Sequence, residues 1–192
     1  MLEASAAFEC FEFAAALQAV ENFFWADLCD NYLELVKVRA YSKSGSAANR
    51  SALATLKIAL SVQLRLFAPF LPFVTEELWS WLFATREGRE RSIHAAPWPA
   101  IDEFAEVALP KEHDPFGVAI SILLAVRRIK SEANVSVKTP LQDLAITGSP
   151  NALSSVRAVL DDLLSAINAP SGVLKEGIVE RGQFDVQAIV GL

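Results

Sequence analysis

A mainly α-helical chain, a helical bundle followed by a small α/β appendage, is predicted by three features of the sequence. Residues from about Ala4 to Tyr41 are dense in Ala, Leu, Glu and Gln and contain neither Gly nor Pro, a helix-forming composition. Leu53, Leu56, Leu60, Leu64 and Phe67 recur at three- and four-residue steps, the spacing of one buried helix face. Beyond about Val135 the apolar runs shorten and are bounded by Gly, Pro and Asn, as strands are. The expected organisation is a bundle over residues 1–134 and an appendage over 135–192.

The elements follow in order. Within the first helical stretch the bulky Phe23, Phe24 and Trp25 predict a bend between two helices. SKSGSAAN (Ser42 to Asn49) reads as a loop. Pro69 and Pro72 punctuate the next stretch, and Pro72 suits the first turn of a helix running to about Phe83. Thr75, Glu76 and Glu77 fit that early turn electrostatically. TREGRERS (Thr85 to Ser92) is a charged loop, and the proline-bounded APWPAIDEF is irregular. Asp114-Pro115 opens a helix that extends to about Glu132. Leu141 to Gly148 reads as a strand, Asn151 to Ile167 as a helix, and Gly172 to Lys175 and Phe184 to Val190 as further strands.

At 192 residues and 53% hydrophobic content, the chain can bury a core and is not disordered. Its apolar runs are too short to span a bilayer, and acidic Glu3, Glu9 and Glu12 stand where a signal peptide would be basic. A cytoplasmic location, no membrane association and a monomer are expected. Cys10 and Cys29 read as buried free thiols, and with only His94 and His113 beside them no zinc spacing can be assembled.

The net charge of −6 counts against a nucleic-acid partner until its distribution is considered. Residues 1–34 carry seven acids and no Lys or Arg, whereas residues 35–75 carry six bases (Lys37, Arg39, Lys43, Arg50, Lys57, Arg65) and no acid. Such a basic segment can steer a phosphate backbone while the acidic remainder repels non-specific contacts. An ordinary solvated helix face has the same composition.

On a helical wheel from Ala26 to Ala40, at about 100° per residue, Leu28, Tyr32, Leu35 and Val36 share one face. Leu33 falls off it, beside Asp30 and Lys37. An apolar side chain flanked by a carboxylate and a cation can serve an unstacked base: Leu33 against the base face, Asp30 accepting from its edge, Lys37 on a phosphate. The alternative is that Leu33 touches a neighbouring helix and Glu34 pairs with Lys37. Lys57, Ser61 and Arg65 repeat every four residues and predict a basic ridge suited to successive phosphates. Arg39 faces the apolar side and is expected to snorkel or form a structural pair. Phe23, Phe24, Trp25, Phe70, Phe73, Trp79 and Trp81 are expected in the core. Trp98 is expected to pin its loop to the bundle, and His94 to anchor it through a hydrogen bond.

Three phrases, FFWADLCDNYLELVK (Phe23 to Lys37), RLFAPFLPFVTEELWSW (Arg65 to Trp81) and SIHAAPWP (Ser92 to Pro99), together resemble the anticodon-binding region of class I aminoacyl-tRNA synthetases for branched aliphatic amino acids. The resemblance covers roughly Ala7 to Leu144. Trp25 to Glu34, with Cys29-Asp30, looks valyl-like; PFLPFVTEELW is shared with isoleucyl and leucyl relatives; Lys37 to Tyr41 has an isoleucyl flavour. Ser42-Lys43-Ser44 is like part of the family's ATP-site loop, but Ala40-Tyr41 replaces the preceding Lys-Met, and the similarity is coincidental.

The resemblance implies a bundle that grips the anticodon stem-loop of a tRNA, valine-specific for the valyl type. It makes Asp30, Leu33, Lys37, Lys43, Arg50, Lys57 and Arg65 the candidate contacts. ATP and Mg, the ligase activity and editing would then belong to other domains of the same parent chain. No cofactor, metal or catalytic residue is expected in these 192 residues. The family's bundle begins with an earlier helix, and many valyl enzymes end in a coiled-coil arm; neither pattern is present. The rival expectation is a helical interaction module without RNA affinity of its own.

Overall fold

The structure is a computed structural model describing residues 1–84, 91–107, 114–179 and 184–191. Most of the charged loop expected over Thr85 to Ser92, and His113, lie outside the described residues. The chain divides into two compact units, Met1–Leu33 with Ala40–Ala108, and Glu34–Arg39 with Leu109–Leu192.

The first unit is helical. It holds α1 (Leu2–Glu9), α2 (Phe13–Asn22), a π-helical stretch (Phe23–Tyr32), α4 (Ala47–Phe67) and α5 (Pro72–Leu82); the π-helical stretch runs on into α3 (Leu33–Ala40), whose Glu34–Arg39 segment belongs to the second unit. Two short 3-10 turns, Ile93–Ala95 and Ile101–Phe104, follow.

The first helical stretch differs from expectation twice. It breaks between α1 and α2, where Phe11 takes a left-handed φ of 61°. No Gly or Pro signals that break. Ring contacts hold the corner: Phe8 packs edge-on to Phe13 at 5.7 Å and lies 5.5 Å from Phe70. Conversely, the bend expected at Phe23 to Trp25 is a ten-residue widened helix rather than an interruption. The Asn31 side chain donates to the Ala26 carbonyl at 2.7 Å, taking up a backbone acceptor in the widened turns.

In α4 the leucine stripe is not the buried face along its whole length. Leu53 is half exposed, whereas Ser61, Gln63, Leu64, Arg65 and Leu66 are all buried. The N-terminal part of the helix lies at the surface and its C-terminal part is enclosed on every side. There Leu64 and Ala68 pack with Trp79, Phe83 and Ile93, and the Trp79 and Phe83 rings lie 4.8 Å apart.

The proline-bounded loop is fastened as expected. Glu76 accepts from Ser92 Oγ at 3.0 Å and from the Ile93 amide at 2.9 Å. His94 Nε2 lies 3.3 Å from the Pro72 carbonyl, and Trp98 Nε1 donates to Ser5 Oγ at 2.8 Å. The aromatic set as a whole is not core, however. Trp79 is buried, but Phe73 is 89% exposed, and Trp81, Trp25 and Phe23 are also at the surface. Trp81 follows Trp79 by two positions, which places it about 200° round the helix. Cys10 is exposed and Cys29 half-buried, so the expected burial of Cys10 fails; its helix ends there, at the open corner.

The second unit is an α/β layer. Its α6 (Pro115–Glu132), β1 (Leu141–Gly148), α7 (Pro150–Ile167), β2 (Val173–Glu176) and β3 (Phe184–Val190) match the expected elements closely. The sheet order is β2-β1-β3, with β1 parallel to β2 across the α7 crossover and antiparallel to β3.

Local chemistry sets the helix ends. Asp114 Oδ1 accepts from the Gly117 amide at 2.9 Å to cap α6, and a Cβ at position 117 would run into that carboxylate. Ser149 caps α7 and Pro150 opens it. Asn168 stops it in the left-handed conformation.

The boundary expected near Val135 falls instead inside this unit. Val118, Ile122, Leu123 and Val126 of α6 join Leu144 and Ile146 of β1 and Leu153, Val156 and Leu163 of α7 in one cluster, with Leu35. A three-stranded sheet leaves an apolar face that one helix covers incompletely, and α6 supplies the rest. Arg39 forms the structural pair expected of it, its Nε and Nη2 each 2.8 Å from the Asp162 carboxylate.

Candidate functional site

The 100° wheel applies to α3 only, since the residues up to Tyr32 are π-helical, but the exposure around Leu33 follows its pattern. Leu35 and Val36 are buried and Leu28 and Tyr32 half-buried, while Leu33 is 39% exposed and Asp30 is also at the surface. Leu33 is therefore not a core leucine, and it stands in the first unit with Asp30. Lys37 lies one turn further along α3, in the segment that belongs to the second unit. Its ammonium is exposed, 3.5 Å from the Glu34 carboxylate. An exposed i,i+3 pair of this kind contributes little and leaves the cation available.

Lys43 lies in the turn between α3 and α4 and Arg50 in the first turn of α4, and both are exposed. The turn is fixed from beneath by Asn49, which is 5% exposed. Its Nδ2 donates to the Ala40 carbonyl at 2.7 Å and its Oδ1 accepts from the Gly45 amide at 3.2 Å. Gly45, at φ 78°, occupies a conformation that glycine adopts without steric penalty. Ser46 Oγ caps α4 by accepting from the Asn49 amide at 3.1 Å, and the Arg50 guanidinium bonds back to the Gly45 carbonyl. Asn49→Ala should therefore lower stability by about 1–3 kcal/mol, since it strands buried backbone groups. Hydrogen exchange should rise selectively at the amides of residues 41–46. Unchanged protection there would show that the turn holds without Asn49.

The expected basic ridge is not formed. Lys57 is half-buried, Ser61 is 4% exposed and Arg65 is 5% exposed. Arg65 Nη1 and Nη2 donate to the two Glu103 carboxylate oxygens at 2.8 and 2.7 Å, and Nη1 also reaches the Pro97 carbonyl at 3.2 Å. This guanidinium is a structural cross-link, not a phosphate contact. The sequence carried a signal for it: Arg65 sits between Leu64 and Leu66 in an otherwise apolar run, the context of a buried, paired cation.

A second feature also escaped the sequence reading. Gln63 is 2% exposed, and neither its Nε2 nor its Oε1 has a hydrogen-bond partner. Among the described residues no group of three or more His, Cys, Asp or Glu could hold a metal, and no helix is long and apolar enough to cross a membrane.

The structure comprises a helical unit and a small α/β unit. The chain belongs to the family of anticodon-binding domains of tRNA ligases, whose model matches residues 1–146. It is 43% identical over 164 residues to a valine–tRNA ligase of Thermobifida fusca, covering 85% of this chain and 18% of that enzyme. Identity to the valine–tRNA ligase of Cutibacterium acnes is 41% over 163 residues, 84% of this chain and 18% of the relative. For that of Salinispora tropica it is 38% over 187 residues, 90% and 20%. The chain thus spans about a fifth of the length of these relatives. The family resemblance carried by the three sequence phrases is borne out.

Proposed function

We propose that this chain contacts the anticodon arm of a valine tRNA as one domain of a valine–tRNA ligase. The ATP- and Mg-dependent ligation is carried by other parts of that enzyme. The observation that carries the reading is Leu33, an exposed leucine beside an exposed Asp30, within a sequence matched by valine–tRNA ligases. Leu33 supplies a face for an unstacked base and Asp30 an acceptor for a base amino group. Lys43, Arg50 and Lys57 supply phosphate contacts and most of the affinity.

A gel-shift titration with a valine tRNA and an unmatched tRNA, repeated across salt concentrations, tests this. Two to four neutralised phosphates predict that log K falls against log salt with a slope of roughly −2 to −3. Lys43→Ala should weaken both tRNAs alike and reduce that slope by about one unit. Leu33→Ala should narrow the preference for the matched tRNA. Equal affinity for both tRNAs in the unaltered chain, or protection confined to the acceptor stem, refutes the reading.

A second reading, a module that docks on protein surfaces without RNA affinity, draws on the exposed Phe11, Phe73 and Trp81. Absence of any gel shift at low salt would favour it.

A further inference from the structure

We propose that the corner between α1 and α2 docks an arginine-bearing segment of a separate partner protein. Its core is a cluster of five rings, Phe8, Phe11, Phe13, Phe70 and Trp98, all within the first unit. Phe8 lies 5.7 Å from Phe13, 5.5 Å from Phe70 and 4.9 Å from Trp98, and Phe11 lies 6.2 Å from Phe13. The cluster is open to solvent: Phe11 is 78% exposed, Phe13 52% and Trp98 37%. Contiguous exposed aromatic surface is what the centre of a protein interface is made of.

Phe11 is the reason to assign the corner a partner. α1 ends in a doubly closed turn, in which the Glu12 amide donates to the Ala7 carbonyl at 2.8 Å and the Phe11 amide to the Phe8 carbonyl at 3.0 Å. That closure puts Phe11 at the left-handed position, φ 61°, where helices usually place glycine. A bulky side chain there strains the backbone. The ring recovers little in return, since it meets Phe13 edge-on and is otherwise largely exposed. Glycine would close the same turn without that strain. Folding therefore does not account for the phenylalanine, and strained residues collect where something binds.

Charge selects the partner. The segments that build the corner, residues 1–34, 66–84 and 92–107, contain no Lys or Arg. Glu9 and Glu12 flank Phe11 in sequence, and both are exposed. An acidic aromatic surface repels a phosphate backbone or an anionic membrane and attracts a cation. Two such corners also repel each other, which disfavours symmetric pairing of two copies. Arginine is the best complement: its guanidinium plane stacks on a ring face while its N–H groups pair with a carboxylate, and lysine lacks that planar fork. The surface is independent of the RNA function proposed above, whose phosphate contacts, Lys43, Arg50 and Lys57, lie outside these segments.

The test is a titration of the chain with a synthetic helical peptide carrying arginine and leucine along one face, and with the same peptide carrying lysine in place of arginine. The NMR signals of the Phe11 amide and the Trp98 indole N–H report binding. The arginine peptide is expected to shift both signals and to bind several-fold more tightly than the lysine peptide. Phe11→Gly should keep the fold, because glycine suits the left-handed backbone, and should lower arginine-peptide affinity about tenfold. Glu9→Gln combined with Glu12→Gln should lower it as well and flatten its dependence on salt.

Equal binding of the two peptides, unchanged in Phe11→Gly, would reduce the effect to general attraction toward an acidic chain and overturn the proposal. Absence of any shift at millimolar peptide would also overturn it. Self-association in sedimentation that Phe11→Gly abolishes would make a second copy the occupant, again overturning it. Phe11→Gly should bind tRNA as the unaltered chain does; weaker binding would assign the corner to RNA instead. If the unaltered chain binds no tRNA, the proposed function fails, and the peptide titration still decides the corner.

Discussion

Glu103→Ala is expected to destabilise the first unit by about 1–3 kcal/mol, because it removes the counter-ion from a buried Arg65 guanidinium, while the partly exposed Glu103 side lets water replace some of what is lost. Arg65 is 5% exposed and fully engaged: two hydrogen bonds to Glu103, one to the Pro97 carbonyl, and one from Nε to the Ser61 carbonyl at 3.2 Å. Glu103 also accepts from the Ala100 amide at 3.0 Å, so the pair ties the 3-10 turn at Ile101–Phe104 to the buried end of α4. Double replacement, Arg65→Met with Glu103→Ala, should recover much of the loss, since it removes the stranded charge and keeps the volume. Urea midpoints of the three variants give the answer. A midpoint for Glu103→Ala within experimental error of the unaltered chain would show that the cross-link contributes nothing. Arg65→Lys, if folded, should bind tRNA as the unaltered chain does, because the guanidinium faces Glu103 rather than solvent.

Lys130→Ala is expected to cost the second unit about 2–5 kcal/mol. Lys130 is 1% exposed, and its ammonium donates to the Val137 and Ile167 carbonyls at 2.8 Å each. It therefore fastens the end of α7 and the turn after α6 to one point. Truncation removes the long side chain and strands both carbonyls.

Burial pushes the Lys130 pKa below the ordinary lysine value. Between that lowered value and the unfolded value of about 10.4, the unfolded chain holds the extra proton, so this group adds stability as pH rises. Its contribution is present above the unfolded pKa and lost as pH falls through the folded one. A neutral amine still has two hydrogens for the two carbonyls, so the hydrogen bonds outlast the charge. Unfolding in urea from pH 8 upward should show a rise in stability for the unaltered chain relative to Lys130→Met. Parallel profiles for the two proteins would mean that the lysine does not lose its proton in this range.

The legible and illegible parts of this molecule separate along physical lines. The second unit's elements were readable because their signals are local. Asp114-Pro115 and Ser149-Pro150 mark helix starts, a periodic apolar face marks each helix, and short runs between turn residues mark the strands. The unit boundary was not readable, since it depends on which apolar faces meet, and α6 joins the sheet through contacts far apart in sequence. The break at Phe11 was hidden for a related reason. A left-handed phenylalanine has no sequence signature, and the neighbouring Phe8 packs on Phe70 from far along the chain.

At the candidate site the same division holds. Leu33 and Lys37 could be placed at the surface because one α-helical period fixes which side chains of α3 share a face; Asp30 is exposed too, but it lies in the π-helical stretch, where that period does not hold. Periodicity failed for Lys57, Ser61 and Arg65. It states that three residues are aligned, but not whether their side of the helix is covered. The residues that cover Arg65, Pro97 and Glu103, come from a segment more than thirty positions downstream.

The sequence alone determined the kinship, the elements and the off-core position of Leu33, since motif spacing and helical period are properties of neighbouring residues. The tertiary structure alone decided that Arg65 is a strut, that the Gln63 amide is buried without a partner, and that α6 belongs with the sheet. Each of those depends on what distant parts of the chain place against a residue, and burial is a property of the packed whole.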